Sequence, residues 1–241
     1  NNRSGVDFSY YKQPTFRRRI ARRIALVNKH DLAEYLQFLR TNEVEQDALF
    51  QDVLIPVTAF FRDKKTFQNL TESIFPTLFE NKPAGEPTRI WIAGCSTGEE
   101  AFSIAICLHE FLEEKMLGTK IQIFASDISQ KAIKKARSAI YTKAELENVS
   151  ESQLKKYFVK SNGNFEVSKV IREMCVFALH NFLKDPPCAK MDLISCRNVL
   201  IYMDTFLQKK AFSTFHYALK EKGFLLLGKS ETIGTSSDLF T

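Results

Sequence analysis

The segment Arg89 to Glu100, RIWIAGCSTGEE, constrains the fold of this 241-residue chain more than any other. A short apolar strand, Arg89 to Ala93, runs into Gly94-Cys95-Ser96-Thr97-Gly98 and from there directly into an apolar-periodic helix, Glu99 to Met116. A second strand at Ile121 to Ser126 and a helix from Ser129 to about Ser138 follow. Strand, helix, strand, helix in that order predicts parallel strands joined by right-handed crossovers. Strand signals return at Met174 to Leu179, Met191 to Ser195 and Gly223 to Leu227, with a helix at about Thr205 to Lys220. The expected fold class is therefore α/β, an open parallel sheet.

The chain before this sheet reads differently. Residues 14 to 80 carry helical periodicity and no strand signal, beginning at Pro14 and Thr15, where a proline and a capping hydroxyl precede the pattern. Phe16, Ile20, Ile24 and Val27 form an apolar stripe, with Arg18, Arg19 and Arg22 on the other side. Further helices are expected at Asp31 to Thr41, Glu43 to Leu54 and Lys64 to Asn81. The Pro- and Gly-bearing stretch Lys82 to Thr88 is the expected linker between a helical domain, 1 to 81, and the mixed domain, 89 to 241. Within the second, a less regular insert begins at Tyr141 and runs to about Arg172, its subdomain spanning about 150 to 172. Ser150 to Phe158 reads as a helix and Gly163 to Val170 as a small hairpin. The chain starts at Asn1 and stops at Phe240-Thr241, just after a late strand and loop, which reads as a domain of a larger protein.

Composition narrows the function classes. No apolar run approaches the roughly 18 residues of a membrane span, and no basic-then-apolar leader opens the chain, which points to action in the cytoplasm without membrane insertion. The five cysteines are widely spaced, with no CxxC pair, and the four histidines form no HExxH pattern, so reduced thiols and no metal centre are expected. The net charge of +6 is concentrated at one end: residues 1 to 30 hold eight Lys/Arg against a single acid. A basic segment joined to a nearly neutral body predicts a contact with an acidic surface.

Polar residues recur at the strand ends, where open sheets bind ligands. The Gly94 to Gly98 turn is neither a Walker loop nor a GxGxxG fingerprint, and alone it reads equally as a plain strand-to-helix turn. The second strand ends in Asp127, placed to take the hydroxyls of an adenosine ribose or, alternatively, to cap the following helix. His180-Asn181-Phe182 and Cys196-Arg197-Asn198 end two more strands. His180 by itself reads as a structural histidine.

Four segments together, Pro56-Val57-Thr58-Ala59-Phe60-Phe61-Arg62-Asp63, Cys95-Ser96-Thr97-Gly98-Glu99-Glu100, Ala125-Ser126-Asp127-Ile128 and Cys196-Arg197-Asn198-Val199-Leu200-Ile201-Tyr202, resemble the CheR family of chemotaxis protein-glutamate methyltransferases. They occur in family order across nearly the whole chain. Tyr11-Lys12 through Ile20 also resembles the family's basic N-terminal helix. The resemblance implies a class I methyltransferase sheet, Rossmann-like, with a small β-subdomain and an all-helical N-terminal domain. It implies S-adenosylmethionine as cofactor, S-adenosylhomocysteine as product, and glutamates on the cytoplasmic helices of methyl-accepting chemotaxis receptors as acceptors.

Carried over position by position, Gly94, Glu99 and Asp127 line the cofactor pocket, while Thr58 and Arg62 close over its methionine end. Asn181 and Phe182 flank the adenine. Arg197 and Asn198 complete the floor and, with Arg62, form the catalytic set. Arg18, Arg19, Arg22 and Arg23 face the acidic substrate. The family often has asparagine at the position of Pro56, and proline offers neither a side-chain amide nor a backbone N–H there. The β-subdomain docks a receptor tether in some members. A monomeric isolated domain is expected.

A glutamate acceptor is ionised at neutral pH, with a pKa of about 4.3 in solution, so the reaction needs no general base and no catalytic triad. Two other classes are weighed against this one. Asp185-Pro186-Pro187-Cys188 resembles the DPPY motif of nucleic-acid amino-methyltransferases, but it ends in cysteine and precedes its strand, so no nucleic-acid partner is expected. A cofactor-binding scaffold without activity is disfavoured by the presence of Glu99, Asp127 and Asn198.

Overall fold

The computed structural model describes residues 8–54, 57–80, 82–83, 85–115 and 118–240. The chain separates into two compact units, Asn1–Ile55 with Val199–Lys209, and Pro56–Asn198 with Lys210–Thr241.

The first unit contains α1 (Gln13–Leu26), α2 (Leu32–Thr41) and α3 (Glu43–Val53). α1 starts earlier than its sequence signal. Pro14 sits in the first turn, where its missing N–H has no role, and Thr15 therefore lies inside the helix and is not its cap. Asp31 caps α2, accepting from the Glu34 N–H at 2.8 Å, and Asn42 caps α3, accepting from the Glu45 N–H at 2.9 Å. Between the helices Arg23 makes a forked ion pair with buried Glu45, onto which the Tyr35 hydroxyl also donates, at 2.7 Å. Residues Val199–Lys209 belong to this unit because they pair with its opening segment: the Lys12 N–H donates to Tyr202 O at 2.9 Å and the Asp204 N–H to Tyr10 O at 2.9 Å.

The second unit opens with α4 (Lys64–Asn69) and α5 (Phe75–Glu80). The sequence predicts one helix over Lys64 to Asn81, but a π turn at Leu70–Ile74 divides it, with the Phe75 N–H donating to Leu70 O. Pro76 explains the change: it has no N–H for residue 72, and the wider turn accommodates the missing donor. The sheet strands are β1 (Thr88–Ala93), β2 (Ile121–Asp127), β6 (Cys175–Leu179), β7 (Met191–Cys196) and β8 (Leu219–Leu227), in the spatial order β6-β2-β1-β7-β8, every pair parallel. Helices α6 (Glu99–Glu114) and α7 (Gln130–Ser138) follow β1 and β2 as expected, and α10 (Thr205–Ala218) leads into β8. Ser129, not Asp127, caps α7, accepting from the Ala132 N–H. β8 begins four residues before its predicted start, and its register slips opposite Met191–Leu193 before continuous pairing resumes at Phe224.

The insert is a three-stranded antiparallel sheet of β3 (Ile140–Tyr141), β4 (Phe158–Ser161) and β5 (Asn164–Val167), with α8 (Glu151–Tyr157) and α9 (Lys169–Arg172) at its margins. The hairpin turns at Asn162-Gly163 and so lies earlier than Gly163 to Val170; residues 169–172 are helical instead.

The core fixes the division of the chain. Phe60, Phe67, Leu70 and Phe75 are fully or nearly fully buried in one cluster with Phe102, Ile104 and Phe111 of α6 and with Ile90, Ile92 and Ile123 of the sheet. The chain therefore divides near residue 55, not at the expected linker 82 to 88, because four aromatic and aliphatic anchors preceding that linker belong to the sheet. Each contributes roughly 1.5–3 kcal/mol by leaving water. Across the sheet, Trp91 is wholly buried, donates its indole N–H to Ser126 Oγ at 2.9 Å and packs edge-on to Phe215 of α10. Among the described residues no helix is long and apolar enough to cross a membrane.

Candidate functional site

In an open parallel sheet the ligand crevice lies beyond the carboxyl ends of the strands, where the strand order reverses. Here the chain runs outward from β1 to β2 and β6, then returns to β7 on β1's other side, which places that reversal between β1 and β7. The two strand tips are Gly94 to Gly98 and Arg197-Asn198.

The first tip is held open by its backbone. Gly94, Ser96 and Gly98 have positive φ (79°, 49° and 99°). At Gly98 a Cβ would lie 3.0 Å from Ala136 Cβ, 3.1 Å from the Tyr141 hydroxyl and 3.2 Å from the Phe177 ring, so both conformation and space require glycine. The N–H groups of Gly94 and Cys95 both donate to Ser126 O, and the Ser96 N–H donates to Asp127 Oδ2 at 2.9 Å. The tip of β2 is thereby bound to the turn. Asp127 Oδ1 accepts from the Ser129 N–H at 2.8 Å, so the carboxylate is fixed by backbone donors and keeps acceptor capacity for a ligand hydroxyl. Burial raises the pKa of Asp127, opposed by those N–H groups. Ser96 Oγ is buried with no partner in this loop, as expected of an atom waiting for a polar ligand.

The paired glutamates that open α6 separate. The Glu99 carboxylate folds onto Thr97 Oγ1, and the residue is only 3% exposed. Glu100 points toward β7: Ser195 Oγ donates to it at 2.6 Å and Arg197 Nη1 at 2.9 Å. Burial raises both pKa values, against Thr97 in the first case and chiefly against Arg197 in the second. Glu100, which the sequence did not single out, is thus the acid joined to the other strand tip.

The second tip carries Arg197, whose side chain is 1% exposed. Its Nη2 donates to Arg62 O at 3.1 Å and to Asp63 Oδ2 at 3.0 Å, and its plane lies 5.7 Å from the Phe67 ring centre. These contacts make Arg197 a clamp between Glu100 and the Phe61-Arg62-Asp63 turn, with only Nε left without a partner. The turn itself is left-handed at Phe61 and Asp63 (φ 48° and 64°), and the Phe61 N–H donates to Ser103 Oγ at 2.9 Å. Arg62 Nη1 donates to Val57 O at 2.9 Å, and Thr58 is half-buried in the extended stretch before it. Asn198 is left-handed (φ 59°), and its N–H donates to Glu231 Oε2 at 2.7 Å. Pro56 lies outside the described residues.

At the tip of β6 the His180 N–H donates to Asp127 O at 3.0 Å, extending the ladder to the crevice. Asn181 folds into a turn, its Oδ1 accepting from the Leu183 N–H at 3.0 Å. The Phe182 ring is buried, with the residue 6% exposed, and sits 5.4 Å from Phe215 of α10. In the other unit Arg17, Arg18 and Arg22 of α1 are exposed, whereas Arg19 is half-buried. Arg23 is directed onto Glu45, which takes it off the basic face expected for it. Among the described residues no group of three His, Cys, Asp or Glu is placed to hold a metal.

Two family models cover the chain: the all-alpha domain of CheR methyltransferases over residues 1–54 and their S-adenosylmethionine-binding domain over residues 56–241. A chemotaxis protein methyltransferase of Borreliella burgdorferi is 33% identical over 245 residues, covering 99% of this chain and 87% of that protein. An uncharacterized 104.1 kDa protein of Rhodobacter capsulatus is 36% identical over 236 residues, 98% of this chain but only 25% of that protein. Among solved structures, a glycopeptide N-methyltransferase, MtfA, superposes at a TM-score of 0.41 with 12% identity, over 73% of this chain and 59% of that one. The boundary between the two family domains falls where the structure divides. The strand tips that gather Asp127, Glu100 and Arg197 lie in the half assigned to S-adenosylmethionine, and the chain belongs to the CheR methyltransferase family.

Proposed function

We propose that this chain transfers the methyl group of S-adenosylmethionine to glutamate side chains of chemoreceptors, forming glutamyl methyl esters in chemotaxis adaptation or a related signalling step. One observation carries the reading: a carboxylate at the tip of β2, Asp127, and a clamped acid–guanidinium pair, Glu100–Arg197, flank the strand reversal in a chain of this family. The cofactor supplies an electrophilic methyl. The protein's part is to bind, orient and exclude water. Asp127 offers acceptor capacity for the ribose hydroxyls, and the acidic side chains around α6 suit a ligand carrying positive charge. Arg62 stands in a turn locked to the rest by Ser103 and Arg197, with Thr58 in the stretch just before it.

No group in this set is arranged as a general base, and an ionised glutamate acceptor requires none. Rate enhancement then rests on holding carboxylate oxygen and methyl carbon in line, a source of up to roughly 7–11 kcal/mol in well-oriented systems. The exposed Arg17, Arg18 and Arg22 supply the positive face that an acidic receptor helix calls for. The nucleic-acid alternative loses its support at Asp185 to Cys188, which form a loop between β6 and β7 while the strand tip beside β1 carries Arg197-Asn198.

The test is transfer of radiolabelled methyl from S-adenosylmethionine to receptor cytoplasmic fragments, followed by mild alkali. Label released by alkali as methanol is the expected result. Alkali-stable label on nucleic acid, or cofactor binding with no transfer to any receptor fragment, would overturn it.

A further inference from the structure

The loop after β8, Gly228-Lys229-Ser230-Glu231, takes no part in the sequence reading, yet it touches both turns that carry the candidate site. A single carboxylate oxygen, Glu231 Oε2, accepts from the Asn198 N–H at 2.7 Å and from the Gly228 N–H at 2.8 Å. Asn198 is held in left-handed backbone, a conformation that a non-glycine residue adopts at a cost and keeps when its surroundings fix it. The approach is close enough to dictate the neighbouring residue: a Cβ on Gly228 would lie 2.7 Å from Glu231 Oε2 and 3.0 Å from both Asn198 N and Nδ2. The end of β8 and the end of β7 are therefore joined through one carboxylate, across a contact that a Cβ at 228 would crowd.

The same loop reaches the second turn. Lys229 Nζ lies 3.1 Å from Asp63 Oδ1, and the other oxygen of Asp63 receives Arg197 Nη2 at 3.0 Å. Asp63 is itself left-handed and adjoins Arg62. Four consecutive residues thus brace Asn198 on one side and the Arg62-Asp63 turn on the other.

We propose that Glu231 is a positioning residue of the methyl-transfer site, acting through Asn198, and that Lys229 acts in the same way through Asp63 on the Arg62 turn. This deepens the function proposed above and rests on that reading for its kinetic consequences, but not for its binding consequence. Methionine at 231 keeps the length of the side chain but offers no oxygen acceptor, so the Asn198 and Gly228 N–H groups both lose their partner. Asn198 then loses the geometry its turn requires, and a site displaced by an ångström or less loses binding and rate.

The experiment compares Glu231→Met and Lys229→Met with the unaltered chain, using S-adenosylhomocysteine as the calorimetric probe, thermal unfolding as the fold control, and transfer to receptor fragments as the kinetic readout. For Glu231→Met the expected result is about tenfold weaker S-adenosylhomocysteine binding with a cooperative unfolding transition kept. The KM for S-adenosylmethionine should rise and the KM for receptor stay unchanged, a split that a merely structural role would not produce. Lys229 is largely exposed, so its replacement leaves the fold intact; about threefold weaker binding is expected. Binding by Glu231→Met equal to the unaltered chain overturns the proposal. If that variant fails to fold, unchanged binding by Lys229→Met overturns it instead. Should the unaltered chain bind S-adenosylhomocysteine and methylate no receptor, the function proposed above fails while the binding comparison still decides this one.

Discussion

At the scale of single residues, the site separates side chains that look interchangeable in the sequence. Glu99 and Glu100 are adjacent, and a helix turns them about 100° apart, so one faces Thr97 and the other Arg197. Their replacement should differ in sign. Glu99→Gln removes a buried negative charge whose raised pKa marks it as disfavoured in the fold, and should raise the unfolding midpoint by about 2–4 °C in calorimetry. Glu100→Gln leaves the almost wholly enclosed Arg197 short of a charge partner, and should lower stability by about 3 kcal/mol in denaturant titration. Asp127→Ala should weaken S-adenosylhomocysteine binding at least tenfold by calorimetry; unchanged affinity would remove the ribose contact from the account. The sequence located Asp127 and Arg197 because polar residues at strand ends interrupt apolar runs. It could not show that Arg197 is buried and clamped, since burial depends on Glu100, Asp63 and Phe67 arriving from elements far apart in the chain.

Among the elements, the five strands and most helices were legible because each is a run of one periodicity ended by glycine, a polar cap or a loop. The strand-to-helix turn at Gly98 was legible too, and it is a point of little tolerance. Gly98→Ala meets a backbone at φ 99° and three neighbours within 3.2 Å, and should cost about 2 kcal/mol in chemical unfolding together with a loss of cofactor affinity. Full stability in that variant would mean the turn is less confined than described. Other elements were not legible for definite reasons. The π turn at Leu70–Ile74 leaves no mark on hydrophobic spacing, and Pro76, which demands it, reads equally as a tolerated kink. Lys82 to Thr88 has the composition of a domain linker but falls within the second unit, because Phe60, Phe67, Leu70 and Phe75 had already entered the core.

For the molecule as a whole, depressed carboxylates make both units sensitive to acid. The Arg23 hydrogen bond holds Glu45 below the usual carboxylate range in the first unit, and in the second the Lys229 hydrogen bond does the same for Asp63. A carboxylate depressed in the fold stabilises it above its unfolded pKa, about 4.3 for glutamate, and this contribution is lost as pH falls through the folded value. Burial raises Glu99, Glu100 and Asp127 in the second unit and offsets part of that loss there. The denaturant midpoint read by helical circular dichroism should therefore fall as pH drops below about 4. A midpoint that rises with acid would contradict this. The basic face of α1 belongs to the same scale: Arg18→Glu with Arg22→Glu should raise the KM for receptor about tenfold, most strongly at low salt, and leave S-adenosylhomocysteine binding unchanged.

If the clamped strand-tip residues present S-adenosylmethionine to a glutamate, mass spectrometry of a receptor cytoplasmic fragment after incubation with this chain and S-adenosylmethionine maps the modified residue. A gain of one CH₂ is expected on glutamate side chains of the receptor's acidic helices, reversed by mild alkali and formed about tenfold more slowly with Asp127→Ala at sub-saturating cofactor. A methyl group found on lysine, on a backbone terminus or on nucleic acid, or an unchanged rate in that variant, would contradict it.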